Sequence, residues 1–292
     1  MARRYETVSF LCDYGTADES VGVIHAVLRE LAPHARVVDV THGIEPFDVR
    51  AGSLALARSI GYLPTGVVLA LVDPGVGTGR RPIAIEVAGG EGILVGPDNG
   101  LLAPAVAMAG GAERAVELTE SAHRLGAPGS TSDGRDVFAP AVAHLCNGGE
   151  LTDLGALLDT DLLLPGVVAL AQADESRVIA QVLWVDRFGN AQLNVGPDDL
   201  PDGFGDRIEL QTVSPTDPTG GASRVAERVA TYADLAGGAV GLVLDSVGLL
   251  AVAMDQRSAA DELGLAAGDQ VTLLPGGDDE PVTQPVTLRT QR

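Results

Sequence analysis

The sequence predicts an α/β N-terminal domain with a central mixed sheet, followed by a smaller, all-β, barrel-like C-terminal domain. Three observations carry this. Strand and helix patterns alternate through the first half of the chain. From about residue 177, short β runs separated by turn residues replace them. The 292 residues also exceed one typical domain. The boundaries read as 1–165 for the α/β domain, 166–176 for a linker and 177–292 for the barrel.

Element by element, "ETVSFLCD" is a strand. Residues 18–32 set Val21, Ile24, Val27, Leu28 and Leu31 on one helical face, with Asp18 as the N-cap. "RVVDV" is a short strand, and "DVRAGSLALARSIGYL" is a helix ended near Pro64. "GVVLALVD" is continuously apolar, as in a sheet covered on both faces. "PIAIEVA" and "GILVG" are further strands, "PDNG" is a turn, and 136–146 is a helix despite Pro140, capped by Asp136. In the second half, "RVIAQVLWVD", "NAQLNV", "DRIELQTV", "AVGLVLDS", "GLLAVAM" and "QVTLLP" are strands, and "RSAADELG" is a short helix. "PGGDDEPVTQP" reads as a solvated tail.

Composition narrows function. The net charge of −21 argues against nucleic acid and anionic membranes as partners and suits a cationic small ligand, although a solvated acidic surface gives the same number. All 19 basic residues are arginine, which excludes a lysine Schiff base and a Walker lysine. Cys12 and Cys146 stand far apart, so neither a zinc motif nor a disulfide framework follows. No metal is expected: His42 and Asp39 in "VDVTHGIEPFDV" invite a metal or acid–base reading, yet His25, His34, His123 and His144 lack ligand spacing. With no signal-peptide pattern and no apolar run of about 18 residues, a soluble cytoplasmic protein is expected.

The most informative stretch is "LALVDPGVGTGRR". Its glycines suggest a phosphate loop, but no lysine follows and the next element is a strand, not a helix. What remains is Asp73 at the C-terminal edge of a strand, where α/β ligand sites lie, with Arg80 and Arg81 on the return; a salt bridge that only holds the loop is the simpler alternative. "CDYGTADES" places Asp13 and Asp18 at another strand end, where carboxylates bind ribose hydroxyls or a cation, or merely cap and turn the chain. A faint likeness of this stretch to the calcium loop of nucleoside hydrolases is incomplete. "WVDRFGNAQLN" is a hairpin turn whose aromatic and amide would also suit a ligand wall.

Taken in order, "CDYGTADESVG", "VDVTHGIEPFDV", "LVDPGVGTGRRPIAIEV", "GPDNGLL", "GRDVFAPAVAHL", "VDRFGNAQLN" and "DSVGLLAVA" resemble the S-adenosyl-L-methionine (SAM) hydroxide adenosyltransferases, relatives of the fluorinase and chlorinase. The resemblance implies an α/β domain plus a β-barrel, and a homotrimer with active sites between subunits. It implies hydrolysis of SAM to adenosine and L-methionine, with no cofactor. It also implies that Asp73 and Arg80 are catalytic, that Asp13 binds ribose, and that Asp18 and Ser20 contact the methionine side. Phe47 falls where the fluorinase has tryptophan. The resemblance further implies that Asp186 and Ser246 hold the amino-acid end, that Asn190 and Phe188 lie beside adenine, and that Tyr232 is an aromatic wall. The halogenating relatives carry tyrosine in place of the aspartate and threonine at the position of Val76, which favours water here. One departure stands out: many hydrolases have histidine before "GRD", and this chain has Asp133. Asp133 either joins the catalytic set or is a surface loop residue of a protein that binds SAM or adenosine as a sensor.

Overall fold

The computed structural model describes residues 5–167, 169–214 and 217–276, with side chains there except those of 213–222. Most of the expected tail, from 277 onward, lies outside these residues. The chain divides into two compact units, Met1–Val168 and Ala169–Arg292. Among the described residues, no helix is long and apolar enough to cross a membrane.

The first unit contains β1 (Thr7–Cys12), α1 (Ser20–Leu31), β2 (Arg36–Thr41), α2 (Val49–Ile60), β3 (Gly66–Leu71), β4 (Pro82–Val87), β5 (Gly92–Pro97), α3 (Ala103–Met108), β6 (Arg114–Glu117), α4 (Ala139–Cys146) and β7 (Leu157–Leu158). Its sheet runs β2-β1-β3-β5-β4-β6-β7. The first four strands in that order are parallel, and the remainder pair antiparallel. Every residue of β3 is buried, as its unbroken apolar run requires. Because β1 lies between β2 and β3, chain connections leave the sheet in opposite directions there. This opens a crevice at the carboxyl ends of β1 and β3. The Asp13 N–H donates to the Leu71 carbonyl at 3.2 Å, which holds those two ends together.

Local signals explain most elements. In α1, Ile24 and Leu28 are buried, while Leu31 at the helix end stays exposed. The helix begins at Ser20 with Glu19 already in helical geometry, so Asp18 is not the N-cap. Its carboxylate instead accepts from the Ser20 N–H at 2.9 Å, from one residue before the N-cap position. Asp136 is not an N-cap either. It lies inside a wide turn, Gly134–Phe138, that precedes α4, and its carboxylate is held by Arg135. Pro140 is tolerated because it falls in the first turn of α4, where its missing N–H has no intrahelical partner to lose.

The second unit contains β8 (Gln172–Asp174), β9 (Arg177–Val185), β10 (Ala191–Leu193), β11 (Arg207–Ser214), β12 (Asp217–Val229), β13 (Val240–Leu244), β14 (Leu250–Met254), α5 (Ala259–Leu263) and β15 (Gln270–Pro275). The order β10-β14-β13-β12-β11-β15-β9 closes through a β9–β10 pairing, giving a seven-stranded barrel with β8 added against β9. Val178, Ala180 and Val182 alternate inward along β9 and meet Leu193, Ile208, Leu242 and Val252 in the core. Part of the expected linker, Gln172–Asp174, thus belongs to the second unit's sheet. Strand β12 is absent from the sequence-based list because Pro, paired Gly and charges obscure its period. Its partner β11 supplies the register, with Ile208 opposite Ala226.

Candidate active site

Asp73 leaves the end of β3, and the glycine-rich loop turns Arg80 back towards it. A Cβ at Gly75 would lie 3.1 Å from the Arg80 Cβ, so the side-chain-free position lets the loop fold this tightly. Arg80 Nε donates to Asp73 Oδ1 at 3.0 Å, and Arg80 Nη2 bonds Asp73 Oδ2. The same Nη2 donates to Asp133 Oδ2 at 2.8 Å. The Asp133 side chain therefore faces the glycine-rich loop, and one guanidinium bridges two carboxylates 60 positions apart in sequence. The Arg80 guanidinium stacks 5.4 Å from the Phe138 ring centroid. Its Nη1 is buried without a hydrogen-bond partner among the described residues.

Burial sets the electrostatics. The Asp73 and Arg80 side chains are only 6% and 7% exposed, while Asp133 is 22% exposed at the cleft edge. Desolvation pushes the Asp73 carboxyl above its ordinary range. The Arg80 charge and the Gly75 N–H offset part of this, and the Asp133 charge adds to it. Asn99 of "PDNG" ties the same strand end from behind, donating to the Val72 carbonyl at 2.9 Å. Arg81 does not enter the cluster. It bonds Asp98 and the Leu162 carbonyl and braces the neighbouring turn.

Gly134 sets the distance between the two sides of the cleft. A Cβ there would lie 2.4 Å from the Tyr14 hydroxyl and 3.1 Å from Leu71 Cδ1. Gly134→Ala is therefore expected to cost about 1–3 kcal/mol in stability and to shift Tyr14 and Asp133 apart. Urea unfolding together with steady-state turnover checks this, and the expected signature is a larger loss of turnover than of folded protein.

Of the residues named for the substrate side, Asp13, Asp18, Ser20 and Phe47 belong to the first unit, in or beside the loops that follow β1 and β2. Asp13 Oδ2 accepts from the Phe47 N–H at 2.8 Å. Phe47 has a backbone φ of +71°, unusual for a bulky residue, and its ring is 72% exposed. That conformation costs on the order of 1–3 kcal/mol and presents an aromatic face to solvent beside a carboxylate. Ser20 lines a cavity of about 240 Å³ with Tyr14, Glu19, Val76, Asp133 and Arg135 among its walls. Asp18 stands exposed at the start of α1.

In the barrel, Asp186 organises the β9–β10 turn. Its Oδ1 accepts from the N–H groups of Phe188 and Asn190, and its Oδ2 accepts from the Asn190 side chain at 2.8 Å. Gly189 (φ +84°) packs on Ser258, where a Cβ would be 2.1 Å from the hydroxyl. This leaves Phe188 75% exposed. Tyr232 feels the charges of both Asp186 and Asp245 and, chiefly through burial, has its hydroxyl pKa raised. Asp245 ties the β13–β14 turn to Gln192, and Ser246 is exposed on that turn. Asp186, Phe188 and Asn190 therefore sit in the β9–β10 turn, Tyr232 in the segment after β12 and Ser246 in the β13–β14 turn, and Asp186 and Asn190 also satisfy each other.

Sequence reading passed over several residues here. Tyr14 is half-buried near the Asp73 and Asp133 charges, and its hydroxyl is pushed far above its usual range, mainly by desolvation. The scarcity of aromatic residues was the signal available for it. Phe138 and Asp245 were likewise not singled out. His25, Asp39 and His42 also meet, with ligand-type atoms within 4.8 Å of one another, although their separation in sequence gave no motif.

A barrel-appended α/β protein with a carboxylate–guanidinium cluster at the switch point of its sheet defines the class. Residues 8–155 match the family described as SAM hydroxide adenosyltransferase N-terminal domain, and residues 180–272 match its C-terminal domain. The chain belongs to this family. It is 44% identical over 273 residues to an (R)-S-adenosyl-L-methionine hydrolase of Salinispora tropica, covering 92% of this chain and 98% of that protein. It is 40% identical to the protein of the same name from Thermus thermophilus, covering 91% and 99%. A fluorinase of an Actinoplanes species is more distant, at 28% identity over 91% of this chain and 96% of that protein. Among solved structures, a conserved protein from Thermotoga maritima superposes with a TM-score of 0.81 at 30% identity, covering 91% of this chain and 99% of that one.

Proposed function

We propose that this chain hydrolyses SAM, with water attacking C5′ to give adenosine, L-methionine and a proton. The observation that carries the reading is the nearly buried Asp73–Arg80–Asp133 cluster at the sheet's switch point. The C5′–S bond breaks as the C5′–O bond forms, and the sulfonium leaves as a neutral thioether. The leaving group needs no acid and no Lewis acid, so the chemical step runs without a metal. The nucleophile is the difficult partner. Asp73, with its carboxyl pKa raised, accepts the water proton, and the free Arg80 Nη1 orients the water. Asp133 fills the role of the expected histidine by holding the guanidinium in place. Two carboxylates beside the nucleophile disfavour halide, which makes fluorination or chlorination the weaker reading.

Asp13 holds the ribose, and Phe47 packs beside the sugar. Asp18 and Ser20 contact the methionine side. Asp186 and Ser246 grip the amino-acid end, and Phe188, Asn190 and Tyr232 line the adenine. These roles rest on family membership and on the part-exposed to exposed side chains in the loops of the first unit and the turns of the barrel. The same membership supports a homotrimer, acting in the cytoplasm, whose active sites form between subunits. The net charge of −21 draws the cationic substrate inward.

One observation favours a second reading, a SAM or adenosine sensor: Arg80 is engaged by two carboxylates at once, as in a purely structural ion pair. Incubating the pure protein with SAM and EDTA separates the readings. Adenosine accumulating far above the uncatalysed rate, resolved by chromatography, is the expected result. Tight SAM binding with no product over hours would leave only the sensor.

A further inference from the structure

Beside the crevice, on the outer flank of the sheet, His25 of α1, Asp39 of β2 and His42 just after β2 converge. His25 Nε2 lies 2.9 Å and His42 Nε2 3.0 Å from the same oxygen, Asp39 Oδ1. A tetrahedral divalent ion with bonds near 2.0–2.2 Å separates its ligand atoms by about 3.4 Å, so small side-chain rotations would seat one here. The donor set of two imidazoles and a carboxylate suits zinc and its late first-row neighbours rather than magnesium or calcium.

A separate observation points to a ligand. The His42 side chain is more than nine-tenths buried, and its Nε2 faces this cluster without an aligned hydrogen bond. The 3.0 Å approach to Asp39 Oδ1 is close enough for an ion pair but lacks hydrogen-bond alignment. The other ring nitrogen, Nδ1, sits 3.1 Å from Cys12 Sγ. That buried thiol is placed as an outer partner that fixes the tautomer. Phe10 packs against both imidazoles, at 4.8 Å from His42 and 6.1 Å from His25 between ring centroids, which limits their rotation. The His42 carbonyl also accepts from the Gly15 N–H at 2.8 Å, inside the loop that carries Asp13.

We infer that His25, Asp39 and His42 form a zinc-class divalent metal site, with an open position for water. The ion would staple α1 to the end of β2 and so brace the loop that carries Asp13. The site uses none of Asp73, Arg80 or Asp133, and takes no part in the chemical step proposed above.

The test uses tag-free protein stripped with EDTA and titrated with zinc chloride, with calcium chloride as a control for surface carboxylates. Bound metal after dialysis and the thermal midpoint are read in parallel. The expected result is a single tight zinc per chain and a raised midpoint. Both should be lost in His25→Ala and Asp39→Asn, with zinc affinity falling more than about tenfold. His25 is only partly buried, with its side chain 34% exposed, so its variant should fold, which circular dichroism checks. Equal zinc binding by wild type and both variants, or equal competition by calcium, overturns the site. Either outcome leaves the hydrolase reading untouched, because that reading is tested in EDTA.

Discussion

Asp73→Asn is expected to lower adenosine formation by about 10²–10⁴-fold, the usual contribution of a positioned general base. The amide keeps the volume and can still accept from Arg80 and Gly75, so the folded structure should persist. Circular dichroism and a thermal melt check this. The pH profile gives the sharper readout. Asp73 acts as its ionised form, and burial raises its pKa. Turnover in the wild type should therefore fall as pH drops through a value above the ordinary aspartate value of about 3.9. The variant should lack that acid limb in kcat/KM. Near-normal turnover, or an unchanged limb, would remove Asp73 from the mechanism.

Arg80→Gln is expected to be the most destabilising single change at the site, by about 3–5 kcal/mol. It strips the shared cation from Asp73 and Asp133, whose side chains are 6% and 22% exposed, and leaves two carboxylates facing each other. For a unit of this size the loss corresponds to a fall on the order of 10 °C in its melting point. The sign of the pH dependence follows from linkage. Without Arg80 the Asp73 carboxyl loses the charge that offsets its desolvation, so its folded-state pKa rises further above the unfolded value and the folded state binds more protons through that window. The variant should regain stability as pH is lowered through that raised value and lose it as pH rises. Urea midpoints across a pH series measure this. A deficit independent of pH would mean that Arg80 contributes by packing on Phe138 rather than by charge. Adding Asp133→Asn to the variant should restore part of the loss at neutral pH.

How much of this was legible beforehand differs between residues. The unbroken apolar run of "GVVLALVD" sufficed to read β3 as a strand of a sheet covered on both faces, and Asp73 at its end followed. Strand β12 was not legible, because Pro, paired Gly and charges hide its period and only pairing with β11 forms it. Asp18 and Asp136 matched the capping preference of aspartate, yet neither caps its helix. The chain had already entered helical geometry at Glu19, and Asp136 was captured by Arg135. Propensity names which residue types can cap; the backbone path decides which one does.

The sequence by itself determined the two-part architecture, the carboxylate and guanidinium types of the site, and the family, because these reside in local periodicity and in ordered short motifs. Only the tertiary structure decided that Asp133 reaches Arg80 rather than solvent. It alone also decided that Arg81 turns away to Asp98, and that His25, Asp39 and His42 meet. Each of these outcomes joins residues from different elements whose distance is set by sheet order and close packing. A gap such as Gly134, which admits Tyr14 to the cleft, is visible in a sequence only as the absence of a side chain.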